Sequence, residues 1–213
     1  TATHLNIGRL LLDHTSAEEL EEEILAIINH LNWGVALIHD ALERLMLAQL
    51  NLRAGKKAKA ATAYELALKY LTVGAELLAA DSWQTHYELT LQLYRERAEC
   101  EFLVENYAQA EKLFDLVLDH ATTNLDRVTV YSTRLNLPAY LGQHEDVITT
   151  GLVGLRLLGL KLSSNPGPLI LIRELLKTRW YLGRKKVEDL LHLPRNTSLE
   201  KQAMMNLLIN LWG

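Results

Sequence analysis

Apolar residues recur along this chain at spacings of three and four, as in helices that bury one face. Leu20, Ile24, Ile27, Ile28 and Leu31 share such a face. Ser16, with Glu19 three residues on, makes a capping-box signal, and the acidic stretch from Glu18 to Glu23 suits the positive end of a helix dipole. A helix is therefore expected from there to about Leu31, ended or kinked by Asn32-Trp33-Gly34, with a shorter one over His4 to Leu12 before it. The next apolar run, Ala41 through Ala54, is expected to bend at Gly55, where Arg53, Lys56, Lys57 and Lys59 crowd together. A long helix from about Lys57 to Ala79 would return from that bend. Asp81-Ser82 starts another helix, with Trp83, Tyr87, Leu91, Tyr94, Ala98 and Phe102 spaced for one buried stripe, and Glu105-Asn106-Tyr107 ends it.

A third pair is expected over Asp126 to Leu141 and His144 to Leu158, bending at Gly142 and kinked by Pro138. The stretch from Leu162 to Pro168, with two prolines flanking Gly167, is the strongest break in the helical pattern. Beyond it lie a helix carrying Leu169, Ile172, Leu176 and Trp180, a bend at Gly183, a short return over Val187 to Leu191, and a last helix from Ser198.

Small and aromatic residues alternate after the bends. Ala60, Tyr64 and Ala67 follow Gly55, and Ala110, Phe114 and Val117 follow Glu105 at the same internal spacing, decaying to Val147, Gly151 and Gly154 in the third pair. Tetratricopeptide repeats are helix–turn–helix units recurring at about 34 residues, and bends at 55, 105 and 142 approximate that irregularly. The expected fold is all-α: tetratricopeptide-like antiparallel helix pairs forming a right-handed solenoid of about ten to eleven helices. Residues 1–39 would be a helical segment joining a preceding domain, 40–162 the repeats, and 163–213 a further helical pair cut short at its end.

Composition agrees. Of 213 residues, 49% are hydrophobic, with only 4 Pro and 2 Phe, usage that suits helices and starves a sheet. A net charge of −4 gives no global attraction to nucleic acid or an anionic membrane. The single Cys100 excludes an intramolecular disulfide and a CxxC site, which favours the cytoplasm. No stretch has the roughly 18 uninterrupted apolar residues of a membrane span. The chain begins without Met and stops in a helical run, as a piece of a larger protein would.

Candidate chemistry is sparse. Leu50 and Lys57 stand where a Walker A loop needs Gly and Ser or Thr, so Gly55-Lys56 reads as a basic bend. Arg184-Lys185-Lys186 makes a second basic bend without interleaved aromatics, a weak signal for nucleic acid. The eight histidines show no metal-ligand spacing. Glu96, Glu99 and Glu101 read as a solvated face. No catalytic, cofactor or metal site is expected.

Four phrases taken in order, HLNIGRLLL with EELEEEI, LNLRAGKKAKAATAYELALKYL, ENYAQAEKLFDLVL and TRWYLGRKKVEDLLHLP, resemble the helical-repeat segment of large bacterial signalling proteins. These join a Ser/Thr-kinase-like domain, a STAND-type predicted ATPase, the repeat region, a GAF sensor and often a histidine kinase. The resemblance implies a place between the nucleotide-binding core and the sensor and kinase modules. It carries no catalytic residue onto this chain.

In such arrays the first helix of each pair lines a concave groove. By register from the bends, the groove candidates are Gln49, Arg53, Gln92, Arg95, Glu99, Thr133, Asn136 and Tyr140. The expected function is a non-catalytic protein–protein interaction or signal-relay module, binding a protein segment or neighbouring domains of the same polypeptide. The alternative is a sensor that takes a small inducer in the groove.

Overall fold

The computed structural model describes residues 1–135, 144–183 and 197–212. Among them the chain is all-helical, with eleven α-helices, one 3-10 turn and no strand. Packing divides it into two units, Thr1–Ala121 and Thr122–Gly213.

In the first unit, α1 (Ala2–His14) and α2 (Ala17–Trp33) form a hairpin joined at Ser16. The Ser16 hydroxyl accepts from the Glu19 amide and the Glu19 carboxylate accepts from the Ser16 amide, the reciprocal cap expected from the sequence. Ile24, Ile27, Ile28 and Leu31 are buried as their spacing predicts, in one core with Leu5 of α1 and with Leu47, Ala54, Tyr70 and Leu71 of the next pair. A polar tie crosses this core: Asn32 and Asn51 exchange side-chain hydrogen bonds at 2.8 and 3.0 Å.

The expected bend at Gly55 is not there. Helix α3 runs unbroken through Ala41–Ala60, capped by Asp40, whose carboxylate accepts from the Glu43 amide at 2.8 Å. Gly55 is buried inside it: a Cβ at this position would lie 2.6 Å from Leu71 Cγ. Gly55 thus serves as the point of close approach between α3 and its return helix α4 (Tyr64–Leu77). The chain turns at Ala61-Thr62-Ala63, where Thr62 takes φ 59° and the Ala63 amide donates to the Ala58 carbonyl at 3.0 Å.

The same turn recurs between α6 (Tyr87–Leu103) and α7 (Tyr107–His120). Glu105 takes φ 64° and the Asn106 amide donates to the Glu101 carbonyl at 2.8 Å. Glu105 stands 43 positions after Thr62, so this unit is longer than the 34 or so residues of a tetratricopeptide repeat. The correspondence read from the sequence shifts with it. Ala67 matches Ala110, Leu71 matches Phe114 and Gly74 matches Val117, and all six are buried. Ala60, the first member of the expected pattern, is exposed.

The stripe predicted from Trp83 to Phe102 is broken. Trp83 belongs to a separate single turn, α5 (Ser82–Thr85), set off from α6 by His86 at φ −137°. Leu91 and Ala98 are buried, while Trp83 stacks on His120 and Tyr94 with ring centroids 4.4 and 5.5 Å apart.

In the second unit, α8 (Asn124–Arg134), α9 (His144–Leu157) and α11 (Leu199–Trp212) enclose a small core of Val128, Leu135, Val147, Leu155 and Leu207. Gly151 and Gly154 mark a close crossing, and the facing residues are Leu211 and Leu207 of α11. The break before Pro168 holds, with Pro168 in the first turn of α10 (Pro168–Leu182). Leu169, Ile172, Leu176 and Trp180 of α10 are all exposed. The Pro138 kink, the Gly142 bend, the Val187–Leu191 return and the basic bend at Arg184 lie outside the described residues.

The corrected register is directly testable. Ala67→Leu and Ala110→Leu should each destabilise by about 1–3 kcal/mol through overpacking, whereas Ala60→Leu should stay within about 0.5 kcal/mol. Urea titrations of the three variants decide this, and equal shifts would refute the register.

Candidate functional site

Helix α3 does not end at Gly55, so its basic residues stand along a straight helix and reach different neighbours. Arg53 bonds the Glu21 carboxylate of α2, and Lys57 donates to the Glu21 carbonyl and to the Glu22 carbonyl, the latter at 3.0 Å. Lys56 and Lys59 reach α6 instead. Lys56 Nζ donates to Gln92 Oε1 at 2.6 Å, and Lys59 Nζ is bonded to the Glu96 carboxylate and to Glu99 Oε2 at 2.9 Å. Gln92 Nε2 donates onward to Glu88 Oε1 at 2.7 Å, and Arg95 Nη2 lies 3.4 Å from Glu96 Oε1.

This charged seam joins the first helices of two successive hairpins. Gln92, Glu96 and Glu99 are spaced by four and three along α6, so they share the face that meets Lys56 and Lys59. Glu96 is only 6% exposed, against the expectation of a solvated carboxylate. Burial pushes its carboxyl up, but the hydrogen bond and charge of Lys59, with Arg95 and Lys56 nearby, outweigh this and hold it below the usual carboxylate range. Burial likewise works against the Lys59 ammonium, and its bonds to Glu96 and Glu99 prevail, raising it.

Glu101, also expected in solvent, is 5% exposed; it accepts from Asn106 Nδ2 at 2.8 Å and lies 3.7 Å from Arg97 Nε. It faces the turn between α6 and α7, where its bond to Asn106 ties helix to turn. Cys100 is fully buried on α6, and burial, reinforced by Glu99, Glu96 and Glu101 against the pull of Lys59, pushes its thiol up to about 12.

The groove candidates stand in different local settings. Gln92, Arg95 and Glu99 are half-buried around the seam. Gln49 and Arg53 are exposed on α3, with Arg53 turned to α2. Thr133 sits in the second unit, where its hydroxyl donates to the Thr129 carbonyl at 3.2 Å. Asn136 and Tyr140 lie outside the described residues. Lys56, Lys59 and Glu96 were missed by the sequence reading because placing a bend at Gly55 cut α3 short.

Folding also joins two histidines that the spacing kept apart. His4 Nδ1 and His30 Nδ1 are 3.0 Å from each other, and Trp33 stacks on His4. Among the described residues no group of three or more His, Cys, Asp or Glu converges as a metal site, and no helix is long and apolar enough to cross a membrane.

No family model and no solved structure matches the chain. It is similar to hybrid signal transduction histidine kinase G of Dictyostelium discoideum, 30% identical over 141 residues that take in 55% of this chain and 4% of that protein. The chain thus spans a small fraction of the length of the relative it matches.

Two measurements check the seam. Because Glu96 titrates low in the fold, its contribution to stability is present above the unfolded glutamate value and is lost as pH falls through the folded one. Glu96→Gln should cost about 1–3 kcal/mol at neutral pH, with the difference from wild type shrinking as pH falls below about 4. A pH-independent difference would contradict the pairing. Cys100 should resist alkylation at pH 8 in the native protein and react once denaturant opens α6, so rapid native labelling would disprove its burial.

Proposed function

We propose that this chain is a non-catalytic relay or scaffolding module of a larger signalling protein, built as a tetratricopeptide-like right-handed array. It would act in the cytoplasm by binding a protein segment or the neighbouring domains of its own polypeptide. The observation that carries this reading is the recurrence of one turn, at Thr62 and Glu105, with a left-handed backbone at the same place and the equivalent hydrogen bond. Equivalent turns place equivalent helices, and stacked equivalent helices make an extended surface. The similarity to part of a histidine kinase supports a signalling setting.

The polar side chains of α3 and α6 would form the recognition surface. Gln49 is exposed on α3, Arg53 is exposed there and bonded to Glu21 of α2, and Arg95 borders the seam on α6. A small inducer in this groove would compete with the bonds that Lys56 and Lys59 already make to Gln92, Glu96 and Glu99. That favours a protein segment, which can engage the rim without dismantling them.

Immobilised chain should capture the remaining domains of its parent polypeptide from solution. Arg53→Ala combined with Arg95→Ala should reduce capture by about tenfold, a loss of about 1.4 kcal/mol, with helicity unchanged by circular dichroism. Undiminished capture would rule out this surface, and turnover of a nucleotide by the chain alone would rule out the non-catalytic reading.

A further inference from the structure

A pocket of about 350 Å³ opens in the first unit, where the start of α3 meets the end of α4 and the linker to α6. Its lining combines the apolar side chains of Leu45, Leu77 and Leu78 with one basic residue, Arg44, one acidic residue, Asp81, and the exposed His39 and His86. It lies away from the Lys59 seam and shares no residue with it.

Arg44 is held by main-chain carbonyls alone: Nη2 donates to Glu76 O at 3.1 Å and Nη1 to Ile38 O at 3.5 Å. These bonds use only part of the guanidinium's five N–H donors. Among the described residues no carboxylate comes within 4.0 Å of it, that of Glu76 included. Asp81 precedes α5, yet its side chain makes no capping hydrogen bond there, and among the described residues it joins no ion pair. Among the described residues, the lining of this pocket thus brings together a basic and an acidic side chain with no ion pair between them or to a third residue.

We propose that this pocket binds a free α-amino acid with an apolar side chain. The ligand carboxylate would meet the remaining donors of Arg44 in a charge-assisted bond, its ammonium would meet Asp81, and its side chain would cover Leu45, Leu77 and Leu78. A peptide terminus brings only one of these charges. The volume is at the small end of ligand cavities, which run from roughly 300 to 1,000 Å³, and suits a single amino acid. The inference is independent of the relay reading, since it concerns a different surface.

The test is calorimetric titration of the whole chain with L-leucine, N-acetyl-leucine, leucinamide and glycine. Leucine should bind saturably, and each analogue, lacking one charge or the side chain, should bind at least about tenfold more weakly. Arg44→Gln should weaken leucine to the level of leucinamide without altering leucinamide itself. Asp81→Asn should weaken leucine to the level of N-acetyl-leucine without altering that ligand. Asp81 is exposed, so its variant keeps the fold even if Arg44→Gln does not. Absence of saturable leucine binding to the folded wild-type chain, equal binding of all four ligands, or indifference of leucine binding to Asp81→Asn would each overturn the proposal.

Discussion

The close crossing of α3 on α4 organises the first unit. Ala48, Ala54, Gly55 and Ala58 give α3 a buried face of small residues, and Leu71 of α4 comes up against Gly55. Two backbones approach this closely only where side-chain volume is nearly absent, since interiors are packed to crystal-like density. The crossing requires α3 to stay helical through Gly55, a residue that costs about 1 kcal/mol relative to Ala inside a helix. Continuity of α3 then carries Lys56 and Lys59 past the crossing and out toward α6.

The seam between α3 and α6 follows from that geometry. A carboxylate as buried as Glu96 must be compensated, and Lys59 does this while also holding Glu99. Replacing such a pair with apolar residues is often neutral or stabilising, so its distinctive effect is on alignment. A slip of α6 along α3 would strand Glu96 without a partner, and one register is thereby favoured over its neighbours. Fixed register between successive first helices keeps a surface built from them constant in shape, which a relay or scaffold needs.

Much of the architecture was legible in the residues. The Ser16–Glu19 cap, the buried face of α2, the end of that helix at Trp33, the turn at Glu105, the break before Pro168 and the last helix after Ser198 all rest on local chemistry that acts within a few residues. Gly55 misled because glycine ends helices and also permits close packing, and the sequence around it does not distinguish the two. Thr62 carries the true turn although a β-branched residue at positive φ is uncommon. The site was less legible. Gln92, Arg95 and Glu99 share α6, but the α3 partners of Gln92 and Glu99, Lys56 and Lys59, lie 36 and 40 positions away and fall on a helix that a bend at Gly55 would have ended.

By itself the sequence determined helix content, most boundaries and the apolar faces, because periodicity and capping are properties of a helix alone. Which faces meet was decided by tertiary structure. That decision made Gly55 a contact and buried Glu96 and Glu101. It joined His4 to His30, and it brought Arg44 and Asp81 into the lining of one pocket without an ion pair among the described residues. The physical reason is that burial and pairing depend on what lies across a crossing. Residues more than thirty positions apart, such as Lys59 and Glu96, acquire their electrostatic character only when the helices that carry them are packed.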